Sequence, residues 1–172
     1  ATTFNYNPVS GMWESNNQGK SSNTASFEIY PVGGPIQISF KLYANSENSD
    51  KAYYYSYVYN ASTDSWKWTQ SATTTSGPST TVDKAIEYSA ILPYDADSAK
   101  YVRVEYKKDS SIDSGADTAY IVDLTINGIK IVNLSGSKDA IGGTYTADGK
   151  GKLVLNGFGS FTAGELSGVY KA

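Results

Sequence analysis

Residues 51–70, KAYYYSYVYNASTDSWKWTQ, gather five tyrosines and two tryptophans in one hairpin-like segment. Rings at this density either fill a core or form a flat surface for the apolar side of a ligand. In an extended strand alternate side chains share a face. Tyr53, Tyr55, Tyr57 and Tyr59 therefore point one way, and Tyr54, Ser56 and Val58 the other. Trp66 and Trp68 share a face of the following strand. If Asn60 pairs with Ser65 across a four-residue loop, Tyr59 stands opposite Trp66 and Tyr57 opposite Trp68. A loop one residue shorter turns both tryptophans to the other side. Placed outward, these rings suit pyranose C–H faces, with Gln70, Asn60 or Lys67 at hand for hydroxyl groups. Placed inward, the tyrosines must find partners for their buried hydroxyls.

Carboxylates are the second candidate chemistry. KKDSSIDSGADTAY (107–120) sets Asp109, Asp113 and Asp117 four residues apart. An oxygen-rich loop of this kind suits a structural Ca²⁺, although the spacing is not that of an EF-hand and Asp also serves turns through its own backbone bonds. A glycosidase needs two carboxylates flanking a cleft, and no pair among the 17 acidic residues stands out. The chain has no cysteine and no histidine. Disulfides, thiolate metal sites, thiol nucleophiles and histidine-based triads are thereby excluded. The expectation is a protein without catalytic activity.

Composition bounds the partners. The 172 residues suit one domain with a sizeable core. A net charge of −3 disfavours nucleic acid, which calls for a basic stripe, and no cluster of basic residues in the sequence suits an acidic or sulfated ligand. No apolar run has the length of a membrane span. No leader pattern stands at Ala1, so the start is expected to be a processed or excised boundary. The Ser, Thr, Asn, Gly and Tyr content is that of secreted or surface-exposed β proteins.

The elements that must carry the rings read as strands: SFEIYP (26–31), PIQISFKLY (35–43), KAYYYSYVYN (51–60), SWKWTQ (65–70), KAIEYSAIL (84–92), AKYVRVEYK (99–107) and AYIVDLTI (119–126). Asn127-Gly128 is a type I′ hairpin signal. VDKAIEYSAIL (82–92) has some helical spacing, but its β-branched content favours a strand. Strands at this interval predict an antiparallel sandwich or barrel. Trp13 is expected to be a buried anchor. Tyr101, Arg103 and Glu105 should lie on the outer face, a solvated one, with Val102, Val104 and Tyr106 on the core side. From Ser135 the chain turns Gly-rich and reads as a β-meander of short strands, giving units 1–134 and 135–172 that are separate or parts of one domain.

Three segments in order resemble bacterial extracellular jelly rolls of the cleaved-adhesin or MAM-like kind, close in architecture to carbohydrate-binding modules. They are MWESNNQGKSSNTASFEI (12–29), ISFKLYANSENSDKAYYYSYV (38–58) and VRVEYKKDSSIDSGADTAYIVDLTI (102–126). The chain departs from that pattern at Tyr120 and Val122, and the Gly-rich tail lies beyond it. The resemblance implies an all-β, antiparallel jelly-roll β-sandwich, attachment rather than chemistry, and a calcium site of structural kind.

Together these readings predict a non-catalytic carbohydrate-binding module of an extracellular or cell-surface protein. It would attach to a neutral polysaccharide, a glucan such as starch or a β-glucan, by stacking on Trp66, Trp68, Tyr55, Tyr57 and Tyr59 with Gln70 beside them. Its partners would be that polysaccharide or an oligosaccharide and the other modules of a larger protein, without nucleic acid or membrane insertion. The alternative is a structural or adhesive domain of a surface protein or phage virion with a protein partner.

Overall fold

The computed structural model describes residues 2–20, 22–32, 36–47, 49–74, 76–77, 80–92, 99–109, 115–131, 136–140, 143–147 and 151–156. Asp113 and the tail from 157 lie outside them. The strands are β1 (Phe4–Asn7), β2 (Met12–Ser15), β3 (Thr24–Val32), β4 (Ile36–Asn45), β5 (Lys51–Asn60), β6 (Ser65–Thr73), β7 (Ser76–Gly77), β8 (Ile86–Leu92), β9 (Ala99–Lys107), β10 (Thr118–Ile126), β11 (Ile129–Lys130), β12 (Gly136–Ala140), β13 (Gly143–Ala147) and β14 (Lys152–Asn156). A 3₁₀ turn covers Val82–Lys84, so helical spacing at 82–92 survives only as that turn before β8. Among the described residues no helix is long and apolar enough to cross a membrane.

Two sheets face each other. The first runs β1-β2-β10-β4, with β8 and β7 both on β4 and β11 on β10. The second runs β12-β13-β14-β3-β9-β5-β6. Most pairs are antiparallel, whereas β14 joins β3 in parallel, Lys152 opposite Glu28 through Asn156 opposite Val32. The strands of the Gly-rich region thus continue the second sheet, and Leu153 and Leu155 enter its core.

Alternation explains the layers. Ile36, Ile38, Phe40 and Leu42 of β4 meet Phe27 and Ile29 of β3 and Val102, Val104 and Tyr106 of β9 in one buried cluster. Burying a side chain of this size is worth about 1.5–3 kcal/mol, so this cluster is the main force holding the layers together. In β10 the inward set changes parity, from Ala119 and Ile121 to Leu124 and Ile126. A bulge between Val122 and Thr125, with Asp123 at φ +51°, makes that switch. Without it Leu124 and Ile126 would face water. At the end of β10, Asn127 (φ +51°) and Gly128 (φ +79°) supply the two positive angles that a type I′ turn requires.

Trp13 is 3 % exposed, as the sequence reading expected. It stacks on Phe27 across the layers at 5.5 Å, and its Nε1–H donates to the Ile131 carbonyl at 3.4 Å. The sequence reading did not foresee β1 and β2, because NYNPVSG between their apolar positions reads as one long turn.

Candidate functional site

The β5–β6 hairpin adopts the four-residue-loop register: Asn60 opposite Ser65, Tyr59 opposite Trp66 and Tyr57 opposite Trp68. Asn60 fixes the loop, its Oδ1 accepting from the Ser62 N–H at 3.0 Å and the Ser62 hydroxyl at 2.7 Å. Asp64 at φ +50° closes it and accepts from the Tyr59 hydroxyl at 2.5 Å, which raises the Tyr59 pKa. Ala52, Tyr54 and Val58 of β5 pack on the core. Tyr53, Tyr55, Tyr57 and Tyr59 therefore stand on the outer face of the second sheet, together with Trp66 and Trp68.

The rings form a stripe across four strands. Tyr57 is its hub, with centroids of Trp66 at 5.6 Å (14° between planes), Trp68 at 5.1 Å and Tyr101 at 5.5 Å. Tyr101 leads on to Tyr30 at 4.3 Å, and Tyr59 flanks Trp66 at 5.4 Å. With strands ~4.8 Å apart, the stripe from β3 to β6 is roughly 14 Å wide. Trp66, Trp68, Tyr57 and Tyr59 are each partly exposed. Tyr101 lies on the outer face, as the parity of β9 predicted; that it and Tyr30 continue the stripe of rings was not expected.

Below the stripe the face becomes charged. One row reads Lys152, Glu28, Arg103, Tyr55, Gln70 across five strands. The Arg103 guanidinium lies over Trp68 at 4.4 Å and Tyr55 at 5.1 Å, held by Glu105 at 3.1 Å and Glu28 at 3.8 Å. Arg103 is thus a wedge between rings and carboxylates, with only 22 % of its side chain exposed, where the sequence reading expected a solvated face. Lys107 sits near Tyr53 and Tyr55, and Tyr55 is 8 % exposed, so its ring is roofed rather than open. Burial raises the Tyr55 hydroxyl pKa, and burial with Glu28 nearby pushes Tyr30 up to about 12. Gln70 is exposed and donates to the Thr73 hydroxyl at 2.8 Å. Asn60 and Lys67 have the opposite parity, away from the rings; the polar groups on the ring face include Gln70 of β6, Glu28 of β3, Arg103 and Glu105 of β9 and Lys152 of β14.

The acidic loop is arranged differently from its spacing. Lys108 continues the inward parity of Val102, Val104 and Tyr106, and its ammonium reaches Asp117 Oδ2 at 2.5 Å and the Asn17 carbonyl at 3.0 Å. Asp117 also accepts from the Gly19 N–H at 2.8 Å and the Tyr106 hydroxyl at 3.2 Å. Its oxygens are committed to this buried ion pair. Asp109 instead joins Glu47 and Asp50, with one oxygen from each within 4.8 Å of the others. Asp50 is 1 % exposed and accepts from the Asp109 N–H at 2.9 Å. Burial, with Glu47 and Asp109 close by, pushes its carboxyl up to about 6. A hard cation such as Ca²⁺ takes oxygen donors of this type.

The outer face of the first sheet offers a contrasting groove of about 500 Å³, floored by Ser39, Ser89 and Thr125. Its charges are paired across the mouth, Lys41 with Glu87 at 4.0 Å and Lys130 with Asp123 at 3.2 Å. No family model matches the chain, and no curated protein matches its sequence.

Proposed function

We propose that the outer face of the second sheet is a non-catalytic carbohydrate-binding surface, by which an extracellular or cell-surface protein attaches to polysaccharide. The observation that carries this reading is the stripe of Trp66, Trp68, Tyr57 and Tyr59, outside the core and partly open to solvent. Rings fixed by one another offer apolar area at little entropic cost. Each good stack contributes on the order of 1 kcal/mol, so two or three with hydrogen bonds correspond to micromolar affinity or weaker. Two carboxylates on this face, Glu28 and Glu105, are bridged by Arg103 rather than poised across a cleft, which favours binding over hydrolysis. We read the sandwich as a jelly roll; its support is the order β2-β10-β4-β8 against β3-β9-β5-β6.

Native gels cast with soluble polysaccharides test the proposal. Retardation by at least one polysaccharide, lost in Trp66→Ala and Trp68→Ala while both variants keep their far-UV dichroism, is the expected result. Migration unaffected across neutral and acidic members alike would refute it. The abundance of Tyr, Trp and Arg also fits a protein-binding face. Concentration-dependent self-association abolished by Trp68→Ala, with no retardation, would select that second reading.

A further inference from the structure

Resting on the carbohydrate reading, the geometry points to an acidic saccharide, one bearing carboxylates, as the ligand of this face. The neutral glucan expected from sequence rested on the lack of a basic cluster, and folding creates one. Lys51, Lys100, Arg103, Lys107 and Lys152 all come to the ring face, from β5, β9 and β14. Among the described residues three carboxylates share it: Glu28, Glu105 and, at the hairpin tip, Asp64. The described part of the face is therefore net +2 on a chain whose net charge is −3.

Two placements give that charge a direction. Lys51 stands directly opposite Lys107, on the same side of the sheet as Tyr53 and Tyr55. Like charges so placed work against the pairing of their strands; Glu105, 3.7 Å from the Lys107 ammonium, offsets part of that cost, and an anion between the two lysines removes the rest. At the other end the Lys100 ammonium lies 4.1 Å from the centroid of the Trp66 ring. Lys107 lies seven positions after Lys100 along β9, roughly 23 Å in an extended strand. An oligosaccharide laid along β5 and β9 would rest its apolar faces on the Tyr57–Trp68 and Tyr59–Trp66 rows. Its acidic substituents would then reach Lys100 at one end and the Lys51–Lys107 pair at the other. Glu28 and Glu105, fixed between these ends, oppose a uniform phosphate backbone and favour charges spaced along a sugar chain over a nucleic acid.

The test uses polygalacturonate, hyaluronate and alginate, each beside its carboxyl-esterified form, in affinity electrophoresis at low and at physiological ionic strength. At least one acidic polymer should retard the protein about tenfold more strongly than its ester, with retardation weakening as salt rises. Lys51→Gln/Lys107→Gln should remove most of that difference and keep the fold by circular dichroism. Trp68→Ala should weaken binding to both forms. Equal retardation by acid and ester, or indifference to the lysine pair, overturns the acidic inference, while loss in Trp68→Ala still upholds the carbohydrate site. Retardation insensitive to Trp68→Ala, or matched by single-stranded oligothymidylate, overturns both. No retardation by any polymer, neutral or acidic, does the same.

Discussion

The buried pair of Lys108 and Asp117 yields a quantitative expectation for the frame that holds the ring face. Only 1 % of the Lys108 side chain and 8 % of that of Asp117 are exposed. Two full charges therefore sit where water cannot screen them. Removing one member of such a pair strands the other and costs about 3–5 kcal/mol, whereas removing both costs much less. Lys108→Met leaves Asp117 with two donors, the Gly19 N–H and the Tyr106 hydroxyl, so its loss should fall near the lower end, about 3 kcal/mol. Asp117→Asn keeps the φ of +52° that Asn tolerates. It takes from the ammonium the carboxylate that lies 2.5 Å away, so about 4 kcal/mol is expected. The double variant should lose less than the sum, with a coupling of at least about 2 kcal/mol. Urea unfolding at neutral pH, followed by tryptophan emission, measures all four corners of the cycle. Losses that add to within about 0.5 kcal/mol would refute the reasoning, since the two charges would then not depend on each other.

Asp50 provides a pH signature. Its folded pKa of about 6 lies above the unfolded value near 3.9. Its contribution to stability is therefore complete below about pH 4 and is lost as the pH rises through 6. Two pKa units correspond to up to about 3 kcal/mol. Asp50→Asn, which keeps the acceptor for the Asp109 N–H, should gain on the parent protein between about pH 4 and 7.5 in urea denaturation; a constant difference across that range contradicts it. Gly151 has φ +101°, and a Cβ there would lie 2.6 Å from the Ser26 carbonyl oxygen and 2.8 Å from Thr3 Oγ1. Gly151→Ala should lower stability by about 3 kcal/mol or more, and a change under about 1 kcal/mol in the same assay would show that this junction yields.

What was legible in the sequence was local. Strand parity set the tyrosines on one face of their strand and Trp66 and Trp68 on one face of the next, and left their register to the length of one loop, which the structure makes four residues long. The Asn127-Gly128 turn is legible for the same reason. What stayed hidden was assembled over distance. Lys51, Arg103 and Lys152 share a face only because β5, β9, β3 and β14 lie side by side, and no linear run announces it. Glu47 and Asp50 meet Asp109 across some sixty residues in the same way. Lys108 is the instructive miss. It continues the inward alternation of Val102, Val104 and Tyr106, yet KKDSS reads as a solvated loop because lysines so rarely lie buried. The bulge that lets Leu124 face the core is likewise invisible, since it adds no unusual residue beyond Asp123.

The parallel joining of β14 to β3 has a consequence for how the molecule is made. Glu28 finds its neighbour Lys152 more than a hundred residues later, so the flank of β3 stays bare while nearly all the intervening chain emerges from the ribosome. Long-range pairings of this kind form late and slowly, and an unpaired strand invites strangers until they do. The last described strand is thus the bolt on the second layer, shot only after more than a hundred further residues have been made.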